Sequence, residues 1–301
     1  MSQIELSTKD VQDGELESSY PARSLFKLAA NRFKKNKRAI IGLWIVVFFI
    51  ILAIFAPLIA PYDPIEQNMA IMLESPSLEH LLGTDEFGRD ILSRILYGAQ
   101  ISLAIGVVGV FIAVIIGVIL GTISGYFGGF IDNLIMRIMD IFMAFPSFLL
   151  ALAIVSVLGP GMINVMIAIG IFSIPNFSRI SRSAVISIKN MEYIEATKAM
   201  GGHDFRIIIK HVIPNCISPI IVIASMQIAT AIITAAGLSF LGMGAQPPTP
   251  EWGAMLSSGR EYLRVAPHVS TIPGLAIMFL VLGFNMLGDG IRDALDPKMK
   301  V

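Results

Sequence analysis

The sequence predicts an all-α, polytopic membrane protein with six transmembrane helices, and three observations carry that expectation. Hydrophobic residues make up 55% of the 301 and charged residues only 15%, for a mean hydropathy of +0.75. An ordinary soluble domain carries about 25% charged residues. Uncharged runs long enough to cross the ~30 Å hydrocarbon layer alternate with polar stretches. Threaded through a membrane in that order, the chain also places its basic residues almost wholly on one side.

Residues 1–38 precede the first run. Up to residue 22 they are polar with acidic patches (Glu5, Asp10, Asp13, Glu15, Glu17), the composition of a solvated tail. From Arg23 to Arg38 the chain turns basic, with Leu25, Phe26, Leu28, Ala29 and Phe33 on roughly one helical side. That pattern predicts an amphipathic helix on the bilayer surface, held by lipid headgroups. A signal peptide is disfavoured, because the charged region is too long and no small-x-small cleavage site follows the apolar run.

Residues 39–60 form the first span, closed by Pro57, Pro61 and Pro64. Residues 61–100 hold seven acids and read as an extracytoplasmic segment. Its second half is expected to be helical, with Ile91, Leu92, Ile95 and Leu96 on one side and Asp90 and Arg94 as a solvated i,i+4 pair on the other. Residues 101–131 are uncharged, and Gly109, Ala113, Gly117, Gly121 and Gly125 recur every fourth position. A stripe of small residues lets helix backbones approach closely in lipid, so it is expected to pack on another span.

The third span covers 132–158, with Asp132, Arg137 and Asp140 in its first turns; Asp140 needs Arg137 or a neighbouring helix as partner. Gly159-Pro160-Gly161 is a turn, and residues 162–178 return as the fourth span. The fifth, 217–241, is rich in Ala and Thr, with Gln227, Thr230 and Thr234 as its polar points. Residues 242–271 are a second aqueous segment, where prolines favour extended chain and Trp252 is placed at the interface. The last span, 272–288, leads to the C-terminus. The single cysteine, Cys216, excludes an internal disulfide and reads as a small buried apolar group.

Between the fourth and fifth spans lies the stretch that organises the rest, Glu195 to Pro214. A short helix from Met191 to Met200 is broken at Gly201-Gly202; Asp204 suits the start of a second helix, and Pro214 is expected to close it. A turn of this kind cannot sit in hydrocarbon without unpaired backbone groups, so it belongs in water, offered to another protein. Eighteen of the 22 Lys and Arg fall on its side of the membrane together with both termini, against Arg89, Arg94, Arg260 and Arg264 on the other. The bias puts that side in the cytoplasm.

No phosphate-binding Gly-Lys-Ser/Thr loop, His-Glu-x-x-His or Gly-x-Ser-x-Gly is present, so no catalytic residue, cofactor or metal site is expected in this chain. If ATP drives it, another chain binds the nucleotide and its magnesium. The Glu195 stretch resembles the EAA loop of ABC importer permeases: Glu195, Ala196, Gly201 and Pro214 stand in register, while Thr197, His211 and Ile213 replace the usual Ala, Ile and Leu. The strings GTDEFGRDILSRILYGAQISL, AQPPTPEWGAMLSSGREYL and GDGIRDALDP are similar to the dipeptide, oligopeptide and nickel branch, second permease type, with Gln100 where that branch often has Arg.

The resemblance implies a type I ABC importer permease fold over residues 101–293, with a cytoplasmic coupling loop at 183–214 and a cytoplasmic end at 294–301. It also implies a heterodimer with a homologous permease, two ATP-binding subunits, an extracytoplasmic substrate-binding protein and no nucleic acid. Glu195, Ala196, Thr197, Gly201, Gly202, Asp204 and Pro214 are the residues it assigns to coupling. The crossing offers scattered neutral polar groups suited to a peptide backbone, namely Asn164, Asn176, Gln227, Thr230, Thr234 and Asn285, and of these Asn164, Gln227, Thr230, Thr234 and Asn285 are the expected translocation path. A bare nickel path calls for imidazole or thiolate ligands, and His80, His203, His211 and His268 all lie outside the expected spans. Nickel or metallophore import remains the alternative within the family. An ion-coupled secondary transporter is the alternative from another class, disfavoured because the middles of the spans lack charge.

Overall fold

The computed structural model describes residues 30–295. The acidic tail, the start of the expected surface helix and the last six residues lie outside the described part. Residues 30–35 are helical and stop at Asn36. The side-chain oxygen of Asn36 accepts from the N–H groups of Arg38 and Ala39, capping α1 (Lys37–Ile59). Its amide nitrogen donates to Asp293, near the other end of the chain, over 3.1 Å.

The helices that follow are α2 (Ile91–Phe127), α3 (Gly129–Met143), α4 (Ser147–Leu158) and α5 (Met162–Lys189). Then come α6 (Glu192–Ala199), α7 (Asp204–Ile207), a single π turn at Ile208–Val212, α8 (Ile213–Phe240), α9 (Trp252–Gly259) and α10 (His268–Leu295). Five crossing-length apolar helices are joined by a bent pair: α3 and α4 meet at 91°. Pro146, whose ring removes a donor and disfavours helix in the residue before it, sits at the N-cap of α4 and marks the break.

The packing of α2 on α5 determines what the bent pair does. Gly109 lies against Ile169, Gly117 against Phe177 and Gly125 against Val185, so contacts advance in the same direction along both helices. Two parallel helices need the chain carried back from one end of the bundle to the other, and α3–α4 carry it. That makes six traverses. An even number returns the chain to its starting face, where Asn36 meets Asp293.

The small-residue stripe is the seam of this packing. A Cβ on Gly117 would stand 2.6 Å from the Cβ of Phe177 and 2.9 Å from the carbonyl oxygen of Ile174. Lipid tails are as apolar as leucine, so burial alone does not drive helix association; backbone approach and van der Waals packing do. A second close seam joins α1 to α10, where Gly42, Gly283 and Gly290 each touch the opposite helix.

Four expectations are corrected by the fold. Asp90 and Arg94 do not pair in solvent, and both are buried. Asp90 caps α2 by accepting from Ser93 and holds the Nδ1 of His80 at 2.9 Å, while Arg94 faces Asp85 and the carbonyls of Pro64 and Pro248. The reason is that residues 61–90 fold back over the start of α2 and remove it from water. Trp252 is not an interfacial marker but a fully buried plug, donating to the Ile95 carbonyl and meeting Phe49 edge-on.

Residues 252–259, expected to be extended, are the helix α9. Glu251 starts it by accepting from the N–H groups of Gly253 and Ala254, although burial pushes its carboxyl above the ordinary carboxylate range. Pro214 does not close a helix either. The π turn before it, in which Ile213 N–H bonds to the Ile208 carbonyl, lets the chain run on into α8 with Pro214 in the first turn, where a missing N–H is tolerated.

Candidate functional site

The face that carries both described chain ends also carries the α6–α7 hairpin. α6 is too short and too polar to stand alone. Ile194 from α6, Ile207 from α7 and Val212 from the π turn are fully buried, in one core with Val185, Ile188 and Tyr126. These three side chains nail the hairpin to the ends of α2 and α5.

Polar contacts fix its angle. The Tyr126 hydroxyl, at the end of α2, donates to Asp204 over 2.5 Å, and Lys198 lies over the Tyr126 ring at 4.8 Å. Lys189 donates to the carbonyls of Gly125 and Tyr126, a cation at the negative end of the α2 dipole. Below this layer Arg182 on α5 grips Asp132 on α3 with two bonds of 2.6 Å, and Asp132 also accepts from Ser124 on α2. Asp140 takes its partner from the neighbouring helix: Arg179, at 2.5 Å. The third span's charges therefore tie three helices together beneath the hairpin.

The turn itself is a Schellman cap. Gly202 N–H bonds to the Thr197 carbonyl and Gly201 N–H to that of Lys198, with Gly201 at φ +83°. A Cβ at Gly201 would touch nothing within 4 Å, so the backbone angle, not crowding, calls for glycine there. Of the other expected coupling residues, Glu195 and Ala196 are exposed, and Glu195 makes no side-chain bond among the described residues. Thr197 turns its hydroxyl onto the Tyr193 carbonyl, and Pro214 is exposed.

Sequence reasoning did not single out Met200 and Phe205. They flank the turn at 81% and 75% exposure, apolar side chains held out from an anchored hairpin. Two large apolar groups inside an otherwise polar stretch were the available signal. Charged Glu195, Lys198 and Arg206 surround them, all exposed. Chemically this arrangement, two exposed apolar side chains beside charged ones on a rigid base, is able to meet another protein surface.

The expected path residues are dispersed. Asn164 spends its amide on the carbonyls of Leu158 and Gly159, holding the α4–α5 turn. Gln227 on α8 donates to Ser173 on α5, and buried Thr234 bonds to the carbonyl of Thr230 in its own helix. Thr230 and Asn285 are exposed. A small cavity at the α3–α4 bend is lined by Phe142, Phe145, Phe172 and, of the neutral polar groups of the crossing, Asn176.

Comparison with known proteins now bears on this geometry. The family model described as "Binding-protein-dependent transport system inner membrane component" matches residues 113–301. The chain belongs to that family. A second model, "N-terminal TM domain of oligopeptide transport permease C", matches residues 24–76. The permease is 52% identical over 295 residues to the dipeptide transport system permease protein DppC of Alkalihalophilus pseudofirmus, covering 98% of this chain and 97% of that one. It is 53% identical over 270 residues to the glutathione transport system permease protein GsiD of Shigella flexneri, covering 89% of each. Among solved structures, an inward-facing MetNI methionine ABC transporter matches with a TM-score of 0.54 at 20% identity, over 68% of this chain and 97% of that chain. That likeness supports the fold, a type I importer permease, and nothing finer.

Proposed function

We propose that this permease forms half of the membrane pathway of an ATP-driven importer of di- to oligopeptides. A homologous permease supplies the other half, an extracytoplasmic binding protein delivers substrate, and two ATP-binding subunits dock from the cytoplasm. The observation that carries the coupling reading is the α6–α7 hairpin: rigidly based on Ile194, Ile207 and the Tyr126–Asp204 bond, it holds out Met200 and Phe205. A partner that moves those two side chains moves the ends of α2, α5 and α8 with them. The path draws on the exposed neutral groups Thr230 on α8 and Asn285 on α10, whose side chains bond to no other side chain among the described residues. Neutral donors and acceptors suit a peptide backbone whose side chains vary, leaving selection to the binding protein. The relatives' names, dipeptide and glutathione, support peptides over free nickel.

The test is uptake by proteoliposomes holding the complete transporter and its binding protein. ATP-dependent accumulation of labelled di- to pentapeptides or glutathione is expected, without accumulation of free radioactive nickel. A Met200→Ser, Phe205→Ser variant is expected to keep its fold while losing ATPase-subunit binding and uptake. Nickel uptake without peptide or chelator sinks the substrate reading, and full coupling in the double variant sinks the docking reading.

A further inference from the structure

The face of α1 turned away from the bundle carries a second built feature. Where α1 packs on α10, Ile41, Trp44, Ile45, Phe48, Phe49 and Phe279 line a groove of about 430 Å³ with almost no polar surface. Its floor is rigid, because Gly42 and Gly283 bring the two helix backbones together and Ile45 wedges against Gly283. Trp44 stands at its rim, 66% exposed.

Toward the face of the chain ends, Lys37 and Arg38 open α1 one to two turns before the groove, and Lys34 and Lys35 precede them in the chain; all four are exposed and none forms a salt bridge among the described residues. The helix breaks at Asn36, whose bond to Asp293 pins the start of α1 to the end of α10. At 1.5 Å rise per residue, Trp44 lies ~9 Å and Phe49 ~16 Å below Arg38. That spans one leaflet of a hydrocarbon layer ~30 Å thick, so cations at headgroup level crown an apolar slot at acyl-chain level.

We infer that this groove, with the basic run above it, is a binding site for an anionic phospholipid, one acyl chain in the slot and the phosphate among the four cations. A partner helix would fill the slot equally well, but it meets the cations only where it happens to carry a carboxylate at that level, whereas an anionic lipid always holds its phosphate there. The crown of charge is what favours the lipid.

Tryptophan fluorescence isolates the groove, since the chain has two tryptophans and the other, Trp252, is fully buried. The full chain is placed in phosphatidylcholine nanodiscs, and the Trp44 signal is taken as wild type minus Trp44→Phe. Phosphatidylglycerol brominated on its acyl chains is expected to half-quench Trp44 at a roughly tenfold lower mole fraction than brominated phosphatidylcholine. That preference should vanish when Lys34, Lys35, Lys37 and Arg38 are all changed to Gln. Equal quenching by the two lipids means ordinary bilayer contact and overturns the site. So does a preference that survives the four substitutions. No quenching by either lipid means another protein surface covers the groove, and it overturns the site as well.

Discussion

At the scale of single residues, Gly201 does the most with the least. Its φ of +83° completes the cap that ends α6 and aims Met200 and Phe205 outward. An alanine there meets no neighbour but must hold a left-handed backbone, at a cost of about 1 kcal/mol. The expected outcome for Gly201→Ala is therefore a fold of nearly normal thermal stability with a displaced hairpin tip. Substrate-stimulated ATP hydrolysis in the assembled transporter should drop severalfold while the basal rate of the ATPase subunits is kept. Stimulation equal to wild type would show that the tip geometry does not matter. Thr197 gives the contrast: its carbonyl receives the Gly202 bond, so its backbone is what the turn uses, and the replacement of the family's alanine by threonine is tolerated there.

At the scale of elements, the α2–α5 seam leaves no room for a side chain at its glycines. A leucine at Gly117 puts its Cβ 2.6 Å from Phe177 and 2.9 Å from the Ile174 carbonyl, atoms of a helix flank that cannot swing aside. Overpacking of this kind costs about 1–3 kcal/mol or more. Gly117→Leu is expected to lower the thermal midpoint of the detergent-purified chain by several degrees or prevent its recovery. Ile115→Leu, on the exposed side of the same helix, should leave the midpoint unchanged. Equal behaviour of the two variants would mean that the seam does not hold the parallel pair together.

At the scale of the whole molecule, six traverses put both described ends on one face, and the basic bias predicts that this face is the cytoplasmic one. Ser77 and Ser258 lie exposed on the opposite face and Ser187 on the hairpin side. Single cysteines at these positions, in a Cys216→Ser background, are expected to separate cleanly with a membrane-impermeant thiol reagent applied to intact cells. Those at 77 and 258 should react and that at 187 should not. The reverse pattern would invert the molecule and move the hairpin away from any cytoplasmic ATPase.

The sequence by itself determined the all-α membrane class, the number of crossings, the stripe Gly109 to Gly125 as a packing surface, and the break at Gly201-Gly202. Each of these is written in local composition or in a fixed spacing, and no distant partner is needed to read it. Tertiary structure alone decided the rest. Asp140 found Arg179 across a helix pair and not Arg137 on its own helix, because the chain between them brings α5 alongside α3, 39 positions further on. Asp90, Arg94 and Trp252 look like surface groups until residues 61–90 and 242–267 fold over the bundle and remove water from them. Pro214 reads as a stop until a π turn shifts the hydrogen bonds by one residue and absorbs its missing donor. A residue's spacing to its neighbours fixes which side of an element it faces, but what it meets there depends on which distant segment the fold lays against that side.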